Sequence, residues 1–419
     1  MTSLELIICA VLLLMAVPDF CQKWQRSGLI YPVYVLAGTL LGALTDYPTQ
    51  IILVQIGHFG FVLLLFIIGL EIDLPPRKQS LRALKTAFLW VILQVPIILL
   101  TGHFMHLTQS ELIVAAVALT SCSVSIAYPC LANYSGLSNR SRKNWLLWMV
   151  ALEVQTILLL SLGQGALAPS RLNQTLVKTG GMIFAVILIA YFAERLTHSL
   201  HWILSRTVRW KAHIIALVIL IVAAIGERLG LASPKTAFFL GLFMHRATCE
   251  GMALEHHLRP IGQQLLIPVF FVSLGMLIHL PSLIAPIGLW SITTAIIILA
   301  IREIIYRRFF RKKIKGDNRA FLLLCPNLTM AAIAVHSLAN FNGNNSPSIA
   351  MEWILLSSLW ITLFSVLLLP KENYTNLESE HPPPSPSSST HSTRLIVKKR
   401  SHKRKKLSAI KLSSPSNTP

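Results

Sequence analysis

The chain has 419 residues, of which 54% are hydrophobic and only 13% charged, and its mean hydropathy is +0.62. That balance excludes a soluble domain of this length, and the apolar runs that recur from end to end predict a polytopic membrane protein. The formal net charge is +20, and the six cysteines are scattered without C-x-x-C or metal spacing, so they read as small apolar residues and not as a disulfide framework.

Thirteen hydrophobic segments are predicted, in an all-α fold of about 13 transmembrane helices. The first runs from Ser3 to Val17; with Glu5 at its start, no basic n-region and no A-x-A site, it is expected to be a retained helix. The next are Leu29 to Leu44, Ile51 to Leu70, Leu84 to Phe104 with a kink expected at Pro96, and Leu112 to Leu131. The sixth is Trp145 to Gly163 and the seventh Leu176 to Phe192. Residues 194–211 are too polar to span and suit an interfacial helix. The eighth to tenth are Ile214 to Leu229, Lys235 to Met244 and Leu265 to Ile278. The last three are Ile287 to Ile305, Phe321 to Leu338 and Ile349 to Leu369.

Basic residues alternate with this count. Of 37 Lys and Arg, only Arg171, Lys178, Arg228 and Lys235 fall in even-numbered connections, while the odd-numbered ones carry dense clusters such as 307–319. Positive residues stay cytoplasmic, so the N-terminus is expected outside and the C-terminus inside, in the inner or plasma membrane of the cell.

The sixth segment holds one acid. Glu153 lies near the middle of nineteen almost wholly apolar residues, a length that just crosses a ~30 Å hydrocarbon core. A charge at that depth costs about 2.5–3.5 kcal/mol on insertion scales, which points to a function in an interior cavity. The bland alternative is a protonated or paired glutamate joining two helices.

Three stretches carry a family resemblance. GHFGFVLLLFIIGLEIDL (57–74), ERLGLASPKTAFFLGLFM (227–244) and LLIPVFFVSLGMLIHL (265–280) together resemble segments of the monovalent cation:proton antiporter-2 family, which includes potassium efflux systems and bacterial sodium/proton exchangers. The resemblance implies inverted repeats, a dimerisation domain with homodimers, a mobile core domain, and a mid-membrane site where the fifth and twelfth segments break and cross. Thr120, Ser121, Ser123 and Ser125 suit the first break; Pro326, which lacks a backbone N–H, with Asn327 and Thr329 suits the second. Each hydroxyl taken singly is equally well a small residue for close packing.

The same resemblance puts the carrier acid on Glu153, with Leu152 standing where relatives keep a polar neighbour. Glu153 is then expected to alternate between a proton and a monovalent cation, with Thr156 as a substitute for the missing ligand, ahead of Gln155, which two positions along a helix turn well away from Glu153. Arg302 corresponds to a basic residue near the site, where it would neutralise the facing C-terminal ends of the broken helices; Glu303 is the adjacent charge. Pairing of Arg302 with Glu303, or snorkelling to the inner basic cluster, is the alternative. Glu227 matches a family acid at the outward vestibule, and Glu71 and Asp73 are expected at the cytoplasmic mouth or simply at a helix end. His58, His103, His106, His245, His256 and His257 read as polar tips at interfaces and receive no role. Trp145, Trp148, Trp353 and Trp360 read as packing residues or interfacial anchors.

The membrane domain is expected to cover residues 1–370 and a tail residues 371–419. The tail passes from a Pro/Ser-rich stretch (378–393) into RLIVKKRSHKRKKLSAIK, whose expected partner is the anionic lipid headgroups of the inner leaflet, with nucleic acid disfavoured. No Walker motif, metal cluster or hydrolytic motif occurs, so no enzyme activity, cofactor or structural metal is expected and an ion gradient supplies the energy. Three readings follow: an antiporter exchanging H⁺ for Na⁺ or K⁺, a gated cation channel on the same scaffold, or a transport-degenerate membrane anchor or sensor.

Overall fold

The computed structural model describes residues 3–71, 77–166, 211–228, 233–244, 267–311, 317–342 and 348–371, with isolated residues between 191 and 266. Seven helices lie in the first half: α1 (Ser3–Lys23), α2 (Ile30–Leu44), α3 (Tyr47–Glu71), α4 (Arg77–His103), α5 (Gln109–Thr120), α6 (Val124–Ala132) and α7 (Asn139–Ala166). The second half has α8 (Lys211–Arg228), α9 (Ser233–Phe243), α10 (Ile267–Met276), α11 (Pro286–Ile305), α12 (Leu328–Asn342) and α13 (Ile349–Leu368). A 3-10 turn at Ala320–Leu324 precedes α12, and two-residue strands at Thr248–Cys249 and Met252–Ala253 pair antiparallel. Eight spans among the described residues are long and apolar enough to cross a membrane, with α5 and α6 counted as one.

Twelve of the thirteen predicted segments coincide with described helices; the seventh, the interfacial stretch 194–211 apart from its edges, and the tail lie outside the described residues. The ninth starts earlier than predicted. Lys235, counted in an external connection, is instead inside α9 and buried (3% exposed). A loop-charge count reads residue type alone and assigns a lysine at a helix start to the connection before it. The helix through Pro96 runs unbroken from Arg77 to His103.

The helices sort into two sets by what they touch. In one set α2 and α3 pack on α10, and α3 also packs on α8 and α9. In the other α4, α5, α6 and α7 pack together with α11, α12 and α13. Packing in the first set is backbone on backbone. A Cβ on Gly275 would lie 2.0 Å from the Val35 carbonyl oxygen, and one on Gly38 the same distance from that of Val272, so α2 and α10 approach as only glycine allows. At one end the sets are tied. Arg26, in the α1–α2 link, donates to the carbonyls of Val366 and Leu367 at the last turn of α13, satisfying groups the helix leaves open.

Local chemistry sets several boundaries. Thr108 caps α5 by accepting from the Glu111 amide, while the Thr108 amide donates to the Glu111 carboxylate. Ser348 caps α13 in the same sense, and Pro286 opens α11 where no N–H is needed. Trp145, Trp148 and Trp353 are buried packing residues, and Trp360 is half-buried.

Candidate functional site

Two breaks meet at the centre of the second helix set. Helix α5 stops at Thr120; Ser121 takes extended backbone and its hydroxyl donates to the Ala118 carbonyl, the local competition by which serine ends helices. The link Ser121–Ser123 leads into α6. In the twelfth segment the 3-10 turn cannot continue through Pro326, and the chain runs open from Cys325 to Asn327 before α12 restarts. The links are bonded to each other: the Ser123 amide donates to the Pro326 carbonyl at 2.6 Å, and the Ser123 and Thr329 hydroxyls are hydrogen-bonded. Ser123 also pairs with the Ser125 hydroxyl at 3.0 Å. Irregular backbone at membrane depth is tolerated where it is buried in protein or lines a water-filled cavity, and the 320–339 span is buried except at His336 and Ala339.

Arg302, fully buried on α11, occupies the C-terminal ends of both broken segments. Its guanidinium donates to the carbonyls of Leu119 (2.5 Å) and Ser121 (3.4 Å) at the end of α5, and to that of Cys325 (3.0 Å) after the 3-10 turn. Its Nε donates to Gln94 Oε1 on α4 at 2.8 Å, so a fixed positive charge meets open carbonyls and partial negative helix ends. Asn327 adds to this cluster: its amide nitrogen donates to the Leu119 carbonyl at 3.3 Å, and its backbone N–H donates to the Thr362 hydroxyl of α13.

Glu153 is fully buried on α7, facing protein and not lipid. Helix α7 packs on both α5 and α12, which sets the Glu153 helix beside the two breaks. Leu152 beside Glu153 is wholly buried and apolar. Thr156 spends its hydroxyl on the Leu152 carbonyl (2.8 Å), while the Gln155 amide and Asn327 Oδ1 are buried with no hydrogen-bond partner among the described residues.

Other expected residues lie apart. Glu303 pairs with Arg307 one turn along on the half-exposed face of α11 and does not meet Arg302, because consecutive helical residues point about 100° apart. Glu227 accepts from Ser233 (2.5 Å) across the α8–α9 link and is exposed. Glu71 is the last residue of α3, and Asp73 lies outside the described residues. Thr120 donates to the Ala116 carbonyl within its own helix. At the α6–α7 end, Tyr134 donates to the Asp317 carboxylate at 3.2 Å; burial first, and that carboxylate second, push its phenol pKa well above the usual value.

The reading from sequence missed Gln94, Thr362, Lys235 and His336. Gln94 had a signal, as a lone amide in the apolar run before Pro96. His58, read as an interfacial tip, is half-buried against His336, with ring centroids 5.2 Å apart.

Crossed, mutually bonded helix breaks, a resident guanidinium and a buried acid define a membrane carrier of the interrupted-helix class. Residues 12–370 match the family described as sodium/hydrogen exchanger, transmembrane, and the chain belongs to that family as a multi-pass integral membrane protein. It is 24% identical over 326 residues to the Na(+)/H(+)-K(+) antiporter GerN of Bacillus cereus, covering 77% of this chain and 83% of the relative. It is 28% identical over 286 residues to a glutathione-regulated potassium-efflux system protein of Haemophilus influenzae, covering 64% of this chain but 45% of that longer protein. The fold is similar to that of the sodium proton antiporter MjNhaP1 from Methanocaldococcus jannaschii, with a TM-score of 0.60 at 15% identity over 87% of this chain and 94% of that one.

Proposed function

We propose that this protein is a secondary antiporter that exchanges Na⁺ or K⁺ for H⁺ by alternating access, with Glu153 holding the proton and the metal ion in turn. The observation that carries the reading is the division of charge at the crossing. Arg302 is committed to the carbonyls of both broken segments, and a second ionisable group, the Glu153 carboxyl, is fully buried on α7, which packs on α5 and α12 beside the breaks. Ser123, Thr329 and Asn327 supply neutral oxygens at the two breaks on which α7 packs. Such hard, neutral oxygens suit an alkali cation.

The orientation proposed is N-terminus outside and C-terminus inside, supported by the clustering of Arg and Lys in alternate connections. The protein is proposed to act as a homodimer, and residues 371–419 to lie against anionic lipid headgroups through their basic run. The test is recovery of an internal pH dye in acidified everted vesicles on addition of Na⁺, K⁺ or Li⁺. Exchange predicts recovery with Glu153 intact and none with Glu153→Gln. Cation entry with no proton exit would replace the antiporter by a channel.

A further inference from the structure

Beyond the crossing, a cavity of about 210 Å³ separates the two helix sets. Its walls on one side come from α3 and α10, through His58, Phe270 and Ser273; on the other they come from α12 and α13, through His336 and Leu355. His58 and His336 thus stand on opposite sets and close the gap ring against ring. Helix α12 carries both His336 and Thr329, two turns or about 10 Å apart, so movement at the ring pair is delivered to the crossing along a rigid rod.

The charged surroundings of the pair are sparse. Glu227 of α8 acts on both rings, and Lys235 of α9 acts on His336. The cavity residues from α10 and α13 are Phe270, Ser273, Leu274, Leu277, Met351 and Leu355, none of which titrates. Imidazole is the side chain that changes charge near neutral pH. Two neutral rings can stack across the gap; two cationic rings repel each other, with Lys235 a further basic group on that side and Glu227 the single offsetting acid among the described residues.

We propose that His58 and His336 form a proton-binding latch between the two helix sets. Neutral, it holds them together beside the cavity; protonated, it parts them and opens the cavity to water. The latch stands without the antiport reading, and only its effect on exchange rests on that reading.

The test uses the full chain in liposomes with Ala339→Cys, a cavity-lining position one turn from His336, and a membrane-impermeant maleimide. Labelling is counted above that of the unsubstituted chain. A latch predicts labelling that rises severalfold as the pH is lowered from neutral into the acid range. Thiol chemistry alone gives the opposite trend, since the reactive thiolate is lost on acidification. The rise should vanish with His58→Gln and with His336→Gln, each sufficient alone if the other does not fold. Labelling that is flat with pH, or a rise that survives either substitution in a folded variant, overturns the latch. Cation-driven proton flux measured on the same liposomes separates the two readings. Flux with flat labelling removes the latch alone, and pH-dependent labelling without flux removes the exchange reading alone.

Discussion

Arg302 and Asn327 donate to the same oxygen, the carbonyl of Leu119. A carbonyl has two lone pairs, and here one serves a guanidinium from α11 and the other an amide from the second break. The end of α5 is therefore fixed by a charge and by the segment it crosses. Replacing Arg302 with Met would strip the guanidinium from the buried Cys325 carbonyl and leave Asn327 as the side-chain donor to Leu119, at a cost of about 1–3 kcal/mol. The expected outcome is a marked fall in melting temperature in detergent and loss of exchange. Arg302→Lys should restore only part of the stability, because one ammonium cannot reproduce the planar fork that reaches Gln94, Leu119 and Cys325 together.

Ser123 and Thr329 join the breaks through their hydroxyls. Ser123→Ala and Thr329→Val should each destabilise, and the double variant should lose less than the sum. A coupling of about 0.5–1.5 kcal/mol is expected from a thermodynamic cycle on melting data; strict additivity would mean the hydroxyls do not meet.

Gly275 against Val35 is the tightest kind of helix contact available. Adding one methyl in Gly275→Ala must push α2 away from α10, with an expected loss of about 1–3 kcal/mol and a lower yield of folded protein. Unchanged melting would show that α2 and α10 are farther apart than described.

Glu303 provides the contrast to Arg302. Its pair with Arg307 is an exposed i,i+4 contact, worth about 0.3–0.5 kcal/mol. Glu303→Gln should therefore leave melting and exchange almost unchanged, as measured in the dye assay.

Tyr134 gives the alkaline prediction. Its folded pKa is raised above the unfolded value of about 10, so the folded state holds the proton longer and stability is constant below that pH, then falls as pH rises past it. Tyr134→Phe removes one hydrogen bond to Asp317 and should flatten that part of the alkaline decline in melting temperature.

Much of this was legible in the sequence because hydrophobic length is a strong signal: twelve predicted segments meet described helices, and Pro326 marked a break that elementary backbone chemistry demands. Arg302 was singled out through the family resemblance, with pairing to Glu303 or snorkelling left open, and the structure buries it against the carbonyls of Leu119 and Cys325. The misreadings share a cause. Lys235, Glu303 and His58 are ordinary interfacial residues by type, and which way each points depends on helix packing that no one-dimensional pattern encodes. Gln94 escaped because a single amide in an apolar helix gives no partner until α11 is placed beside α4.

The Arg26 contact sets how the two helix sets can be displaced. It fastens the start of α2 to the last turn of α13, and Gly28 lies close against Cys130 and Val366 at that same end. Toward the opposite end the sets are separated by open volume and bridged by His58 and His336. A body pinned at one extremity and parted at the other swings about the pin; displacement grows with distance from Arg26, and sliding of one set past the other is resisted.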